Sequence, residues 1–255
     1  MLELRKGRQW RWAASGKHPV ARDYVSIGRQ FPLAAGFSDW VAKSYPLLRR
    51  QTPTPCCWRF WARGTAGDEI ACGLLRESSD RIGRPFPFLV MGSGPLPGWA
   101  EHWDRLTLVC ADLWGEMEKL SVKPLRALPD LEEALHGLRA PLPEWGGAPA
   151  GITDLPPTDA ADYDRCRGQL GELAQKDAGF VVLDRFEQER DGELVFIGDA
   201  LKRHGKGAPS SMFLGGTPDS AFLAFFRRPL SVADFSTLWS ELPQRQHGAN
   251  RATEN

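Results

Sequence analysis

The stretch Cys56-Cys57-Trp58-Arg59-Phe60-Trp61-Ala62-Arg63 is the first of three closely spaced strand patterns, and its reading decides the fold. Trp58 and Phe60 bracket Arg59. Successive residues of a strand point to opposite faces, so Arg59 is expected across the sheet from its two aromatic neighbours. Ile70–Leu75 and Phe86–Met91 form the second and third candidate strands. Short turns at Gly64-Thr65-Ala66-Gly67 and Ser78-Ser79-Asp80 separate them, as in an antiparallel meander.

Working outward, Gln9-Trp10-Arg11-Trp12-Ala13 alternates apolar and polar residues and reads as another strand, turned by Gly16-Lys17-His18-Pro19. Phe37, Trp40, Val41, Tyr45 and Leu48 recur at three- and four-residue steps, which predicts a helix over 34–50 that Pro46 kinks or ends. Trp99–Leu120 is the longest helical pattern, with an apolar stripe from Trp103 to Met117. Asp130 is expected to cap a shorter helix through Leu138. The Pro- and Gly-rich stretch 140–158 reads as a linker or long surface loop, with Thr158 or Asp159 capping a helix to about Lys176. Strand signals return at Phe180–Phe186, Leu194–Ile197, Met212–Leu214 and Ala221–Phe226, with Asp191-Gly192 as a hairpin turn. Ser231 is expected to cap a last helix, Val232–Trp239. The expected fold class is α/β of mixed, α+β-like kind: a central, largely antiparallel sheet flanked by helices in one compact domain over 1–242. Any break into subdomains would fall at 140–158, and 243–255 would form a frayed tail.

The 255 residues include 32 Lys plus Arg and 32 Asp plus Glu, so the basic excess of a nucleic-acid binder is missing. Five cysteines without a C-x-x-C pair make neither a disulfide framework nor a zinc pattern, and suit a reducing cytoplasm. Met1–Lys6 leads into Arg8, Trp10 and Arg11 without an apolar run, so no signal peptide is expected. With no apolar stretch of about 18 residues, direct membrane insertion is not expected either.

Catalytic motifs are sparse. Gly205-Lys206 fails as a phosphate loop, because Ala200 stands where the first Gly is needed and Gly207 where Ser or Thr is needed. No G-x-S-x-G elbow occurs. His18, His102, His136, His204 and His247 show no metal-pair spacing, so neither a metal nor another cofactor is expected.

Three motifs set charge among aromatics: Gly16–Val25 (with Lys17 and Asp23), Cys57–Phe60 (with Arg59) and Ser79–Pro87 (with Asp80, Arg81, Gly83 and Arg84). Asp23 and Asp80 are natural mates for Arg59, Arg81 or Arg84. Such a cluster is either an internal network pinning a loop to the sheet or a recognition surface for an acidic or phosphorylated partner. The residues leave both readings open.

At these motifs the chain resembles the TagF (ImpM) family of type VI secretion accessory proteins. That family carries Gly-Lys-x-Pro-x-x-Gly-Asp-Phe, then Trp-Arg-Phe, then Ser-x-Asp-x-x-Gly-Arg-x-Phe-Pro. Here Gly16-Lys17-His18-Pro19 precedes Asp23-Tyr24, with Arg22 in the place of Gly and Tyr24 in that of Phe. Trp58-Arg59-Phe60 matches outright, and Ser78, Asp80, Gly83, Arg84, Phe86 and Pro87 keep the third motif. Pro209-Ser210-Ser211-Met212-Phe213 and Phe222–Phe226 resemble the family's C-terminal strands more loosely. The resemblance implies a non-enzymatic regulator in the cytoplasm of a Gram-negative bacterium, recruited to the inner-membrane secretion complex. It also implies repression after translation, through binding to a scaffold protein with a forkhead-associated domain. The other reading is a hydrolase or a small-molecule or anion sensor using Asp23, Arg59, Arg81 and Arg84, with Lys206 joining an anion site. Oligomeric state is not legible in the sequence.

Overall fold

A computed structural model describes residues 9–48, 55–143, 145, 168–183, 190–218 and 220–239. The chain opens with β1 (Arg11–Gly16), β2 (Val25–Gly28) and α1 (Pro32–Ser44), followed by the meander β3 (Cys57–Arg63), β4 (Glu69–Arg76) and β5 (Phe88–Pro95). Next come α2 (Leu106–Val109), α3 (Ala111–Val122) and α4 (Leu128–His136). A helical segment at 168–174 is α5. The chain then forms β6 (Ala178–Leu183), α6 (Arg190–His204), β7 (Ser211–Thr217), β8 (Ser220–Phe226) and α7 (Val232–Trp239).

Among the described residues the strands make one eight-stranded sheet, ordered β2-β1-β5-β4-β3-β7-β8-β6. Every neighbouring pair is antiparallel, so the expected fold class holds. The β3–β7 ladder joins strands from either side of 140–158, with Trp58 opposite Gly215 and Phe60 opposite Phe213.

Both faces of the sheet are covered, which is why β4 reads as an apolar run rather than an alternation. On one face Trp58, Phe60 and Ala62 of β3 pack with Phe37 and Val41 of α1 and with Phe235, Leu238 and Trp239 of α7. Phe37 stacks on Phe60 with ring centroids 4.7 Å apart. On the other face Trp61, Ile70 and Leu74 meet Leu113, Trp114 and Met117 of α3, together with residues of α4, α5 and α6. Two buried indoles are satisfied by backbone carbonyls: Trp58 Nε1 donates to Leu238 O at 3.1 Å and Trp114 Nε1 to Phe60 O at 3.2 Å. Burying a large apolar side chain stabilises by about 1.5–3 kcal/mol, against roughly 0–1 kcal/mol for an exposed ion pair, so these two cores hold the fold.

Local signals explain most boundaries. Pro46 does end α1, which passes into a single 3-10 turn over Tyr45–Leu47. Ser231 caps α7 as expected: its Oγ accepts from Asp234 N at 3.3 Å, while the Asp234 carboxylate accepts from Ser231 N at 2.7 Å.

Three expectations are corrected. The Leu194–Ile197 strand and the Asp191-Gly192 hairpin are replaced by helix α6. Leu194, Ile197, Ala200 and Leu201 are buried at helical, not alternating, spacing. The long Trp99–Leu120 stripe is carried by jointed pieces, because the chain turns at Cys110 (φ −91°, ψ −2°) between α2 and α3. Asp130 sits inside the first turn of α4, where its carboxylate accepts from Arg126 N and Ala127 N at 3.0 and 3.1 Å. The starting point of α5 lies outside the described residues, as does 243–255.

Candidate functional site

The first and third motifs meet at one end of the sheet, beyond the last residue of β4. The segment after β4 doubles back through an isolated bridge between Ser79 and Pro85, with Gly83 N donating to Asp80 O at 2.9 Å. Gly83 closes this turn at φ +84°, a conformation that side chains with a Cβ resist. Gly16 answers a second need: a Cβ there would collide with the carbonyl oxygen of Pro87, so glycine lets the two motifs pack backbone to backbone.

Asp80 is the centre of the cluster, and its side chain is 0% exposed. Its Oδ1 accepts from Ile82 N at 3.1 Å and Arg84 N at 3.0 Å. Its Oδ2 accepts from Arg84 Nε at 2.6 Å and pairs with Lys17 Nζ at 3.1 Å. Burial pushes this carboxyl up. The Arg84 backbone and guanidinium, Lys17 and the Ile82 N–H together pull it down to about 2. Four donors fill the acceptor sites of the carboxylate, so Asp80 is ionised and has no lone pair left for a substrate.

Arg84 then reaches the first motif, donating to Arg22 O at 2.7 Å and pairing with Asp23 at 3.4 Å. Arg81 adds a backbone bond from its N to Ala21 O at 2.7 Å and a side-chain bond to Val20 O at 3.3 Å. Lys17, Asp23, Asp80, Arg81, Gly83 and Arg84 therefore form one clamp. Its outer surface carries Ile82, 67% exposed, and Tyr24, 44% exposed. Tyr24 is propped edge-on against Phe86 at 5.6 Å. Arg22, Arg81 and Arg84, within two residues of these two in the chain, are exposed as well.

Arg59 is not in the clamp, contrary to the expected pairing with Asp23 or Asp80. Strand alternation places it on the α3 face, where Nε and Nη2 bond Glu118 Oε1 and Oε2 at 2.6 and 3.0 Å. Lys206 is separate too. Its loop leads into Ser210 and β7, at the sheet end where Ser210 O accepts from Arg63 N, opposite to the clamp.

Sequence reading missed several polar partners. Glu118 lies 59 positions from Arg59 on a helix face that reads as solvated. Cys72 and Cys110 bring their sulfurs to 3.1 Å in the core, where burial pushes the Cys72 thiol up and makes a poor nucleophile of it. His18 is buried, with Nδ1 accepting from Val20 N at 3.2 Å; burial first, and then Arg76, lowers its pKa. Glu69 collects Arg11, Ser93 and Thr65 at the far end of the sheet.

Comparison with known proteins agrees with the motifs. The family model described as the TagF N-terminal domain, type VI secretion system-associated, matches residues 13–140, half of the chain. It spans the whole clamp, Arg59 and Glu118. The chain is similar in fold to PA0076 from Pseudomonas aeruginosa PAO1, a crystal structure, with a TM-score of 0.52 at 18% identity over 91% of this chain and 97% of that one. No curated protein matches the chain.

Proposed function

The chain belongs to the TagF N-terminal domain family of type VI secretion system-associated proteins, and from that premise we propose that it is a non-enzymatic regulator of the apparatus. It acts after translation as a repressor, by docking on a scaffold component with a forkhead-associated domain. Its place of action is the cytoplasmic side of the secretion complex. Among the described residues no helix is long and apolar enough to cross a membrane.

The observation that carries this reading is the clamp around Asp80. Four donors hold a buried carboxylate, the loop they fix exposes Ile82, and the first motif that it ties down exposes Tyr24. Binding costs less when the presented side chains are already ordered. Tyrosine and arginine are the residues that interface centres favour, and an exposed apolar side chain with exposed arginines on either side of it in the chain fits an acidic partner with an apolar pocket. The clamp consumes Asp80 internally, which favours recognition by the loop over acid–base chemistry at it.

The test is capture from extract of cells expressing the apparatus, with wild type and Ile82→Asp as baits. The Ile82 side chain is exposed and only its backbone N–H bonds Asp80, so aspartate there opposes an acidic partner while keeping that N–H. The expected result is recovery of the forkhead-associated scaffold by the wild type and at least a tenfold loss with Ile82→Asp, on the order of a hot-spot substitution. Recovery of no secretion component, or equal recovery by the folded variant, overturns the reading.

A further inference from the structure

A second charged corner stands beside the clamp at the same end of the sheet. Cys57 opens β3 and faces Arg76, the last residue of β4. Arg59, two residues along β3, is therefore the diagonal neighbour of Arg76 on the same face, at the spacing where long side chains meet. Both arginines line a pocket of about 310 Å³, together with Glu77, Glu118 and, from β7, Gly215, Gly216 and Thr217.

The charges in this pocket do not balance. Glu118 is taken by Arg59 through two bonds. Among the described residues Arg76 is held only by neutral groups: its Nη1 donates to Ser121 Oγ at 3.1 Å and its Nε to Glu77 O at 3.4 Å. Among the described residues it has no ion pair. The Glu77 carboxylate is turned to the opposite face, where it accepts from Tyr45 Oη and Trp239 Nε1 at 2.5 and 2.9 Å. Cys57 adds no negative charge, because burial and then Glu118 push its thiol up to about 11. Among the described residues, two partly buried arginines against one carboxylate leave a single positive charge at the cavity.

We propose that the Arg59–Arg76 pocket is an anchoring site for one carboxylate, supplied by an acidic side chain of the docking partner. Arg76 offers its remaining N–H groups as a fork, the geometry that matches carboxylate. A monoanion neutralises the pocket, whereas a doubly charged phosphate reverses its sign. The docking reading supplies only the source of the carboxylate. The site itself is tested on the chain alone.

The experiment is an NMR titration of the full chain, following the backbone amides of Gly215, Gly216 and Thr217. The probes are N-acetylglutamate α-amide, which carries one carboxylate, its neutral glutamine counterpart, and inorganic phosphate. The expected outcome is a saturating shift with the carboxylate probe and none with the neutral one. Arg76→Gln weakens binding by about tenfold or more and Arg76→Lys by an intermediate factor, since lysine keeps the charge and loses the fork. Where Arg76→Gln fails to fold, Arg76→Lys and the neutral probe decide. The proposal is overturned by an absence of saturation, by equal shifts with the neutral probe, by unchanged affinity in a folded Arg76 variant, or by tighter binding of phosphate. None of these results touches the capture experiment with Ile82→Asp, so the two readings fail separately.

Discussion

The Asp80 clamp and the Arg59–Arg76 corner lie at the same end of the sheet, where β3 begins and β4 ends, and each sets basic side chains around one central carboxylate, Asp80 or Glu118. In the clamp the carboxylate is fully buried and every lone pair is used, by two backbone N–H groups and two cations. In the corner Glu118 is a third exposed, engages one arginine and leaves the other to neutral partners. The same chemistry thus gives a closed network in one place and an open one in the other. A closed network fixes the shape of a loop. An open one keeps donors for a group from outside.

Removing the closing residue should have the largest effect. Asp80→Ala leaves Lys17 and the Arg84 side chain without their shared counterion and two backbone N–H groups without an acceptor. Since Lys17 and Arg84 can turn to water, the loss falls short of that for a fully buried pair. The expected drop in melting temperature is roughly 5 °C. Hydrogen exchange across 79–87 should accelerate with it, while the cores around Phe60 and Trp114 keep their protection. A variant with unchanged melting temperature and unchanged exchange in the loop would show that the clamp is not what orders it.

Acid should reproduce the same loss gradually. The Asp80 carboxyl is depressed from the ordinary 3.8 to about 2 in the folded chain. A carboxyl that is more acidic when folded contributes stability that is complete above its unfolded value and is lost as pH falls through its folded value. The stability gap between wild type and Asp80→Ala should therefore be constant near neutral pH and close between about pH 4 and pH 2. Other carboxylates titrate in that range too, including Asp234 beside Arg228. They are common to both chains and cancel in the difference. A gap that persists unchanged at pH 2 would assign the loss to packing instead of charge.

The two regions also differ in how far they can be read from sequence. Asp80, Gly83 and Arg84 lie within five positions, and the turn that joins them is local, so the charge pairing and the need for glycine are legible. The meeting with Lys17 and Asp23 requires the β1–β5 ladder, which sets Gly16 opposite Phe88 and so brings the two motifs together. That pairing is visible only as two motifs with complementary charge. Arg59 was legible as to its face, because Trp58 and Phe60 fix the alternation, but not as to its mate. Glu118 lies on α3 among residues whose apolar neighbours announce a core helix and whose polar face announces nothing. Arg76 closes an apolar strand and carries no motif at all. The strand at β6 is legible, but the Leu194–Ile197 run of α6 is not, because a four-residue apolar run has no period long enough to separate strand from helix.

The smallest effect sharpens the comparison most. Single and double substitutions of Arg59 and Glu118 to Ala, measured by denaturant unfolding, should give a coupling of about 1 kcal/mol, since the pair is bidentate but both side chains remain about a third exposed. The two single variants should not be equivalent. Without Arg59, Glu118 is free to pair with Arg76, and the corner becomes neutral. Without Glu118, two guanidinium groups face each other with no counterion. Glu118→Ala should therefore be the more destabilising of the two, and adding Arg76→Gln to it should restore part of the loss. Equal costs, with no recovery from Arg76→Gln, would mean that Arg59 and Arg76 do not feel each other's charge and that the corner is two separate arginines rather than one open network.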